Sequence, residues 1–214
     1  MKRSKNFTVK LKRKLRQKTD YPKRLNLLAS NKPRLVVRRM LNNILVQIVE
    51  YDANGDKVIV SANSRELVKL GWKGHRGNLP SAYLVGMIAG LKAKKKGIKE
   101  TVSDIGLRGA IKGSSFFAAV KGAIDSGLVV PCSKEVMPSN DAIQGKLIES
   151  YAKLLLNEDK QKYDKQFSSY IKQGMKPEDF SKYFEEVKKK LLLKWQWNKF
   201  KNLKLIGHAL ITFA

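Results

Sequence analysis

Apolar residues follow two kinds of pattern, first short β-branched runs and later stretches with helical spacing. Between residues 34 and 63, the runs "RLVVRR", "NNILVQIVEY" and "KVIVSAN" are separated by Asn, Asp and Gly. The pair Asn54-Gly55 is a strong signal for a hairpin turn. The runs predict an antiparallel three-strand meander, in which Arg38 and Arg39 close the first strand and Asn42 and Asn43 open the second.

The next hundred residues alternate helical and strand patterns. "LPSAYLVGMIAGLKAKKKG" predicts a helix with Pro80 in its first turn and Gly97 after its end. "SSFFAAVKGAIDSG" predicts a second helix that ends at Gly127. "ETVSDIGL" and "LVVP" each predict one further short strand. The succession predicts an α/β fold with a mixed sheet and right-handed crossover helices.

Helical spacing dominates from Ser139 onward. One predicted stripe comprises Ile143, Leu147, Tyr151, Leu154 and Leu155, and a second comprises Phe180, Phe184, Val187 and Leu191. Both predict a helical C-terminal appendage. The last segment carries Trp195, Trp197 and Phe200 among lysines, and it either packs against the body or contacts a partner or RNA. We divide the chain into a basic arm (1–25), an α/β body (26–132), a helical appendage (133–193) and an aromatic, basic tail (194–214).

Charge narrows the choice of partner. The 214 residues include 44 Lys and Arg against 18 Asp and Glu, a formal net charge of +26. Residues 1–39 alone hold 15 of these cations and one acid, whereas residues 133–214 contain no arginine. Such a chain repels itself unless a polyanion supplies the opposite charge, so nucleic acid is the leading candidate.

The basic N-terminal segment has two interpretations, a solvated tail or an arm that becomes ordered on RNA. Leu11, Leu15, Tyr21 and Leu25 lie between its cations. These side chains offer apolar and stacking contacts that a purely charged tail would lack, and they favour the RNA-binding arm.

Membrane and secretory roles receive little support. The apolar run from Tyr83 to Leu91 is shorter than the roughly 20 residues that a membrane span needs, and no secretory signal is recognised. The single Cys132 cannot form an internal disulfide and fits a reducing, cytoplasmic location. A membrane-surface protein stays as an alternative, although no large cationic amphipathic helix supports it.

Catalytic constellations are not apparent. His75 and His208 do not have metal-ligand spacing with Cys132 or with a carboxylate pair. "DANGD" begins like a calcium loop, but its twelfth position is Asn63 rather than Glu. We therefore expect no enzyme activity, no metal and no cofactor, with an RNA-processing nuclease that uses Asp104 as the alternative.

Two glycine-rich basic loops precede the two predicted helices. Arg76 and Asn78 lie in the first loop, and the second contains Arg108, Lys112, Ser114 and Ser115. Free amides at a helix N-terminus attract phosphate oxygens, so both loops are candidate RNA contacts. The alternative is that they are simple connections in a tight α/β fold.

Four segments, taken in order, resemble a known family. They are "YPKRLNLLASNKPRLVVRRMLNNILVQIV", "NLPSAYLVGMIAGLKAKKKG", "DIGLRGAIKGSSFFAAVKGAIDSGLVVP" and "MPSNDAIQGKLIESYAK". Between about Thr19 and Leu193 the chain closely resembles the archaeal and eukaryotic type of large-subunit ribosomal protein eighteen, the partner of 5S ribosomal RNA. Cys132 departs from the family, where His is common after the proline, and Gly109 to Ile111 replace a usual Pro-Thr pattern.

The resemblance implies a fold, a location and a set of contacts. The expected fold is a ribonuclease H-like sheet without its catalysis. The expected role is a structural one in the cytoplasmic ribosome, where the protein binds 5S ribosomal RNA and attaches it to the central protuberance of the large subunit. Large-subunit ribosomal RNA and neighbouring central-protuberance proteins are further expected partners. The RNA-facing residues that it implies are Lys10, Lys12, Arg13, Lys14, Arg16, Lys18, Tyr21, Arg24, Arg34, Arg38, Arg39, Asn42, Asn43, Asn78 and Tyr83, besides the segment that runs from the DIGL motif to GSSFFA.

Overall fold

A computed structural model describes the backbone of residues 9–211 and the side chains of residues 9–195. Two short 3-10 turns, Lys134–Val136 and Pro177–Asp179, accompany the regular elements. In chain order the helices and strands are α1 (Lys12–Leu15), α2 (Tyr21–Leu28), β1 (Arg34–Arg39), β2 (Ile44–Glu50), β3 (Lys57–Asn63), α3 (Arg65–Val68), α4 (Leu79–Lys95), β4 (Val102–Asp104), α5 (Ser115–Asp125), α6 (Asn140–Gln144), α7 (Lys146–Glu158), α8 (Lys160–Gln166), α9 (Ser168–Lys172) and α10 (Phe180–Ile211).

Four strands form one mixed, open sheet in the order β3-β2-β1-β4. β1 pairs antiparallel with β2, and β2 pairs antiparallel with β3, while β4 pairs parallel with β1. Because β1 and β2 meet at Arg39 and Ile44, and β2 and β3 meet at Glu50 and Lys57, the two hairpin turns lie at opposite ends of the sheet. The mixed α/β class predicted from the sequence is confirmed.

The further strand predicted at Leu128–Pro131 does not form. Only an isolated parallel bridge joins Val129 to Glu100. The amide of Val129 donates to the carbonyl of Lys99 at 2.9 Å, and the amide of Thr101 donates to the carbonyl of Val129 at 3.0 Å. Pro131 has no N–H to extend this pairing, which gives a physical reason for its ending within one residue pair.

The two central helices begin and end where their sequences predict. Asn78 caps α4 by accepting a hydrogen bond from the Ser81 amide at 2.9 Å, and Pro80 lies in the first turn. α4 packs against β2 and β3, while α5 packs against α4 and β1. A methyl group added at Gly86 of α4 would overlap the carbonyl of Ala119 in α5. The small residues therefore allow the helix backbones to approach closely, which covers one face of the sheet.

The helical C-terminal region confirms one predicted stripe. Phe180, Phe184, Val187 and Leu191 are each at most 1% exposed. They belong to the same core as the sheet and α4, so α10 packs onto the body.

The other predicted stripe is confirmed only at its two ends, Ile143 and Leu155, which are 4% and 7% exposed. It is wrong at Leu147, Tyr151 and Leu154, which are 66%, 49% and 47% exposed. Gly145 adopts φ +82° and separates α6 from α7, so the two segments do not share one helical register. In α7 it is Ala152 and Leu155 that are buried. Gly145 also touches the Phe180 ring closely, where an added methyl group would collide.

Within residues 9–211, no helix combines the length and the apolar character that a membrane span requires. The predicted tail includes Trp197 and Phe200, whose side chains lie outside the described residues.

Candidate nucleic-acid interface

The β1–β2 turn forms a cationic projection at one end of the sheet. Arg38 and Arg39 are exposed at the end of β1. The Met40 amide closes the turn by donating to the Asn43 carbonyl at 2.8 Å. Leu41, at the tip, is 92% exposed. The turn therefore presents two guanidinium groups beside an apolar side chain in solvent.

A second loop, residues 73–78, lies against this turn. Gly77 contacts the Leu41 carbonyl so closely that an added methyl carbon would lie 2.8 Å from it. Two tyrosines of the C-terminal region hold the loop: the Lys73 amide donates to the Tyr183 hydroxyl at 2.7 Å, and the His75 amide donates to the Tyr170 hydroxyl at 3.3 Å. Packing therefore fixes this loop next to the arginines of the turn.

The surroundings of His75 lower the pKa of its imidazole. Partial burial, the Arg76 guanidinium and the Arg39 guanidinium lower the pKa of its imidazole, in that order of importance. Its Nδ1 accepts a hydrogen bond from the Gly77 amide at 3.1 Å, so the neutral ring carries its proton on Nε2. Both guanidinium groups therefore lie close enough to this imidazole to disfavour its protonation.

The loop after β4 reaches the same end of the molecule. Arg108 donates from a guanidinium nitrogen to the Arg39 carbonyl at 2.6 Å. Lys112 is exposed, and Ser114 and Ser115, at the start of α5, are half-buried. Since Tyr83 contacts Gly122 and Gly90 contacts Ser126, α4 and α5 run parallel, and both N-termini point to this end. We name residues 38–43, 73–78 and 106–115 the loop surface.

The basic arm lies at the opposite end of the sheet. Lys10, Lys12, Arg13, Lys14, Arg16 and Lys18 are all exposed there. Arg13 donates to the Thr19 hydroxyl at 2.9 Å. A groove of about 430 Å³ separates residues 13–28 from the β2–β3 turn, and Tyr21 and Arg24 line it together with Tyr51–Gly55. We name residues 9–28 with the turn 51–56 the arm surface.

Two residues predicted to face RNA lie in the interior. Arg34 is 4% exposed, and its guanidinium pairs with Asp104 at 2.7 Å and with Asp56 at 2.6 Å. Tyr83 is 3% exposed and donates from its hydroxyl to Asp125 at 2.7 Å. Burial, followed by this hydrogen bond and the Asp125 charge, raises the pKa of Tyr83. Neither side chain belongs to the loop surface or the exposed part of the arm surface.

Sequence reasoning missed two contributors to these surfaces. Leu41 is a single apolar residue in a polar turn, and its neighbours Arg39 and Asn42 were the only available signal. Asp56 accepts ion pairs from both Arg24 and Arg34, yet in the sequence it is one acid in a turn. Its partners lie 32 and 22 residues away in the chain, and no local pattern predicts such pairs.

An α/β body that exposes arginines and lysines from an arm and from clustered loops is typical of nucleic-acid-binding proteins. Residues 5–102 match a family described as ribosomal large subunit proteins 60S L5 and 50S L18. Over this part the chain is similar to the large-subunit ribosomal protein L18 type, which confirms the resemblance found in the sequence. The corresponding resemblance of residues 103–193 stays a prediction.

The family is one of structural, non-enzymatic ribosomal proteins. The match therefore implies a structural role in the large subunit, ribosomal RNA as partner and the ribosome as location.

Proposed function

We propose that the protein binds 5S ribosomal RNA and attaches it to the central protuberance of the large ribosomal subunit. It acts there without catalysis, beside large-subunit ribosomal RNA and neighbouring proteins. The observation that carries the proposal is the gathering of Arg38, Arg39, Arg76 and Arg108 from three separate loops at one end of the sheet. Arginine is the cation best suited to phosphate, because its planar fork can donate two hydrogen bonds at once.

The strand order supports the ribonuclease H-like topology that the family resemblance implies. The order β3-β2-β1-β4, with β4 parallel to β1, is the arrangement that a ribonuclease H-like sheet requires in its first four strands. We infer that the body is a non-catalytic relative of that fold. Asp104, the candidate nuclease residue, is instead ion-paired with Arg34.

The two surfaces supply different parts of the binding energy. The exposed cations of the arm and of Arg38, Arg39, Arg108 and Lys112, with the half-buried Arg76, release counterions from RNA phosphates. Asn42 and Asn43, with Leu41 beside them, offer polar and apolar contacts to unpaired bases. Asn78 was also predicted to face RNA, but its amide nitrogen is buried and its amide oxygen caps α4, so it positions the helix instead. Ser114 and Ser115 add hydroxyl donors at the start of α5. We assign Arg34 and Tyr83 to positioning these elements from within.

Salt dependence tests the proposal. Replacing Arg13, Lys14 and Arg16 together by Gln should flatten the slope of log affinity against log salt for 5S RNA by about two to three. The matched control replaces Lys160, Lys165 and Lys172, three exposed cations of α8 and α9, by Gln. The control removes the same charge and should leave the slope within about half a unit of the wild-type value.

Three results would contradict the proposal. Equal slopes for the arm variant and the wild type would remove the arm from the interface. Equal affinity for 5S RNA and for an unrelated RNA of the same length would show that 5S RNA is not a specific partner. Magnesium-dependent RNA cleavage that disappears in Asp104→Asn would favour the nuclease instead.

A further inference from the structure

Four charged side chains of alternating sign connect the arm to the sheet. Arg24 of α2 pairs with Oδ1 of Asp56 at 2.8 Å, and Arg34 of β1 pairs with Oδ2 of the same carboxylate at 2.6 Å. The other terminal nitrogen of Arg34 pairs with Asp104 of β4 at 2.7 Å. Two cations and two anions make the row neutral, and each carboxylate oxygen of Asp56 has a different partner.

Arg34 holds the inner part of this row rigidly. Its side chain is 4% exposed, and a planar guanidinium engaged by two carboxylates has a fixed direction. Its Nε has no hydrogen-bond partner among the described residues. Burying such a group with one donor unpaired is costly, and buried ion pairs are weak evidence for net stabilisation. The benefit of the row therefore lies in the position that it gives to Asp56.

Apolar burial does not explain how the arm is held. No residue of α2 is buried, and Leu25 is 68% exposed although it lines the groove against the β2–β3 turn. The pair between Arg24 and Asp56 links α2 to the turn across 32 residues of chain. Arg24 and Asp56 are 31% and 25% exposed, so water screens this pair less than it screens the fully exposed cations of the arm.

We propose that Asp56, oriented by Arg34, is a positioning residue that docks the arm onto the β2–β3 turn through Arg24. Docking orders the arm before RNA arrives, so less conformational entropy is lost when its cations meet phosphates. The effect on RNA affinity rests on the proposed function. The docking itself does not, because it is a property of the free protein.

Hydrogen–deuterium exchange in the free, full-length protein tests the docking. Asp56→Asn should speed exchange of the α2 amides by about tenfold, because local opening becomes easier, while amides of α4 stay protected. Asp56→Glu should retain part of the protection, since it keeps the carboxylate. Unchanged α2 exchange in a folded Asp56→Asn protein would overturn the proposal.

Asp52→Asn is the matched control. It makes the same charge change in the same turn, and asparagine can still accept the Asn54 amide, which Asp52 accepts at 3.1 Å. Exchange of α2 should stay at the wild-type rate in this variant. An equal rise in both variants would overturn the proposal in favour of a general charge effect.

Arg24→Gln covers the case in which Asp56→Asn does not fold. It cuts the same link from the arm side and leaves Arg34 paired with both carboxylates. Faster α2 exchange supports the docking, and unchanged exchange in this folded variant overturns it.

RNA binding tests the consequence. The arm variant with Arg13, Lys14 and Arg16 replaced by Gln should bind 5S RNA at least about tenfold more weakly than wild type. In the Asp56→Asn background the same replacement should cost less than about threefold, because an undocked arm contributes less. Equal factors in the two backgrounds would overturn the positioning role. Loss of 5S RNA binding by the wild type would overturn the proposed function alone, and exchange would still decide the docking.

Discussion

At the scale of single residues, His75 is the titratable group most directly exposed to the field of the loop surface. Arg76 and Arg39 lower its pKa together with burial, so the ring is neutral above its ordinary pKa of 6.5. Protonation would also turn Nδ1 into a donor that faces the Gly77 amide. The free protein thus disfavours a charged His75, and bound phosphates would do the opposite.

We therefore predict that RNA binding takes up a proton at His75. Anionic phosphate raises the imidazole pKa, so affinity should rise as pH falls below 6.5, by about tenfold for each pKa unit that binding adds. The dissociation constant measured at pH 7.5 and at pH 5.5 checks this, with His75→Gln as the variant that lacks the titrating group. The same pH dependence in both proteins would place phosphates away from the loop surface.

The stability of the free protein depends on pH in the opposite direction. Since the folded pKa of His75 is depressed, the unfolded chain binds more protons as pH falls through and below 6.5. The free energy of unfolding that His75 contributes is therefore present above this pH and lost below it.

At the scale of elements, the packing of α4 on α5 depends on the absence of side chains. Methyl groups at Gly86 and at Gly122 would overlap the carbonyls of Ala119 and Tyr83, respectively. Because backbone carbonyls cannot rotate away as a flexible side chain can, the helices would have to separate.

Gly86→Ala should lower the free energy of unfolding by about 1–3 kcal/mol, the usual cost of overpacking a core. Thermal and denaturant unfolding followed by circular dichroism measure this loss. Gly109→Ala is the control, since nothing lies within 4 Å of the added methyl group, and it should change the free energy of unfolding by less than about 0.5 kcal/mol. Equal stability of Gly86→Ala and wild type would contradict the close approach of the helices.

Local patterns predicted the elements of the body well, since caps, turns and periodicity act over a few residues. α4 begins and ends within the stretch that Pro80 and Gly97 indicated. The stripe over residues 143–155 was wrong at Leu147, Tyr151 and Leu154, because Gly145, in a left-handed conformation, separates two helices that the pattern predicted as one. The candidate site was predicted to the same extent. The sequence pattern identified the arginines in loops, but the interior partners of Arg34 depend on strand pairing, which no local pattern contains.

At the scale of the whole molecule, the cations form two surfaces at the two ends of the sheet. β1, with six residues, separates them by about 20 Å. This separation is about twice the Debye length of roughly 8–10 Å at physiological salt, so the two surfaces interact weakly with each other. One RNA that contacts both must extend along the molecule.

The two surfaces should accordingly act independently on RNA affinity. Arg39→Gln with Arg76→Gln should flatten the salt slope by about 1.4–1.8, and this reduction should add to that of the arm variant when both sets are combined. Affinities for 5S RNA over a series of salt concentrations check the sum. A combined reduction well below the sum would mean that both sets meet the same phosphates.

The parallel alignment of α4 and α5 gives the loop surface a source of attraction that no side chain carries. Each helix N-terminus has a partial charge of roughly +0.5 from its aligned peptide groups, so the two together contribute about one positive charge. Replacing an arginine cannot remove this contribution, because the backbone itself supplies it. Loss of the loop cations would thus weaken the attraction of this end for anions without abolishing it, as long as the two helices stay aligned.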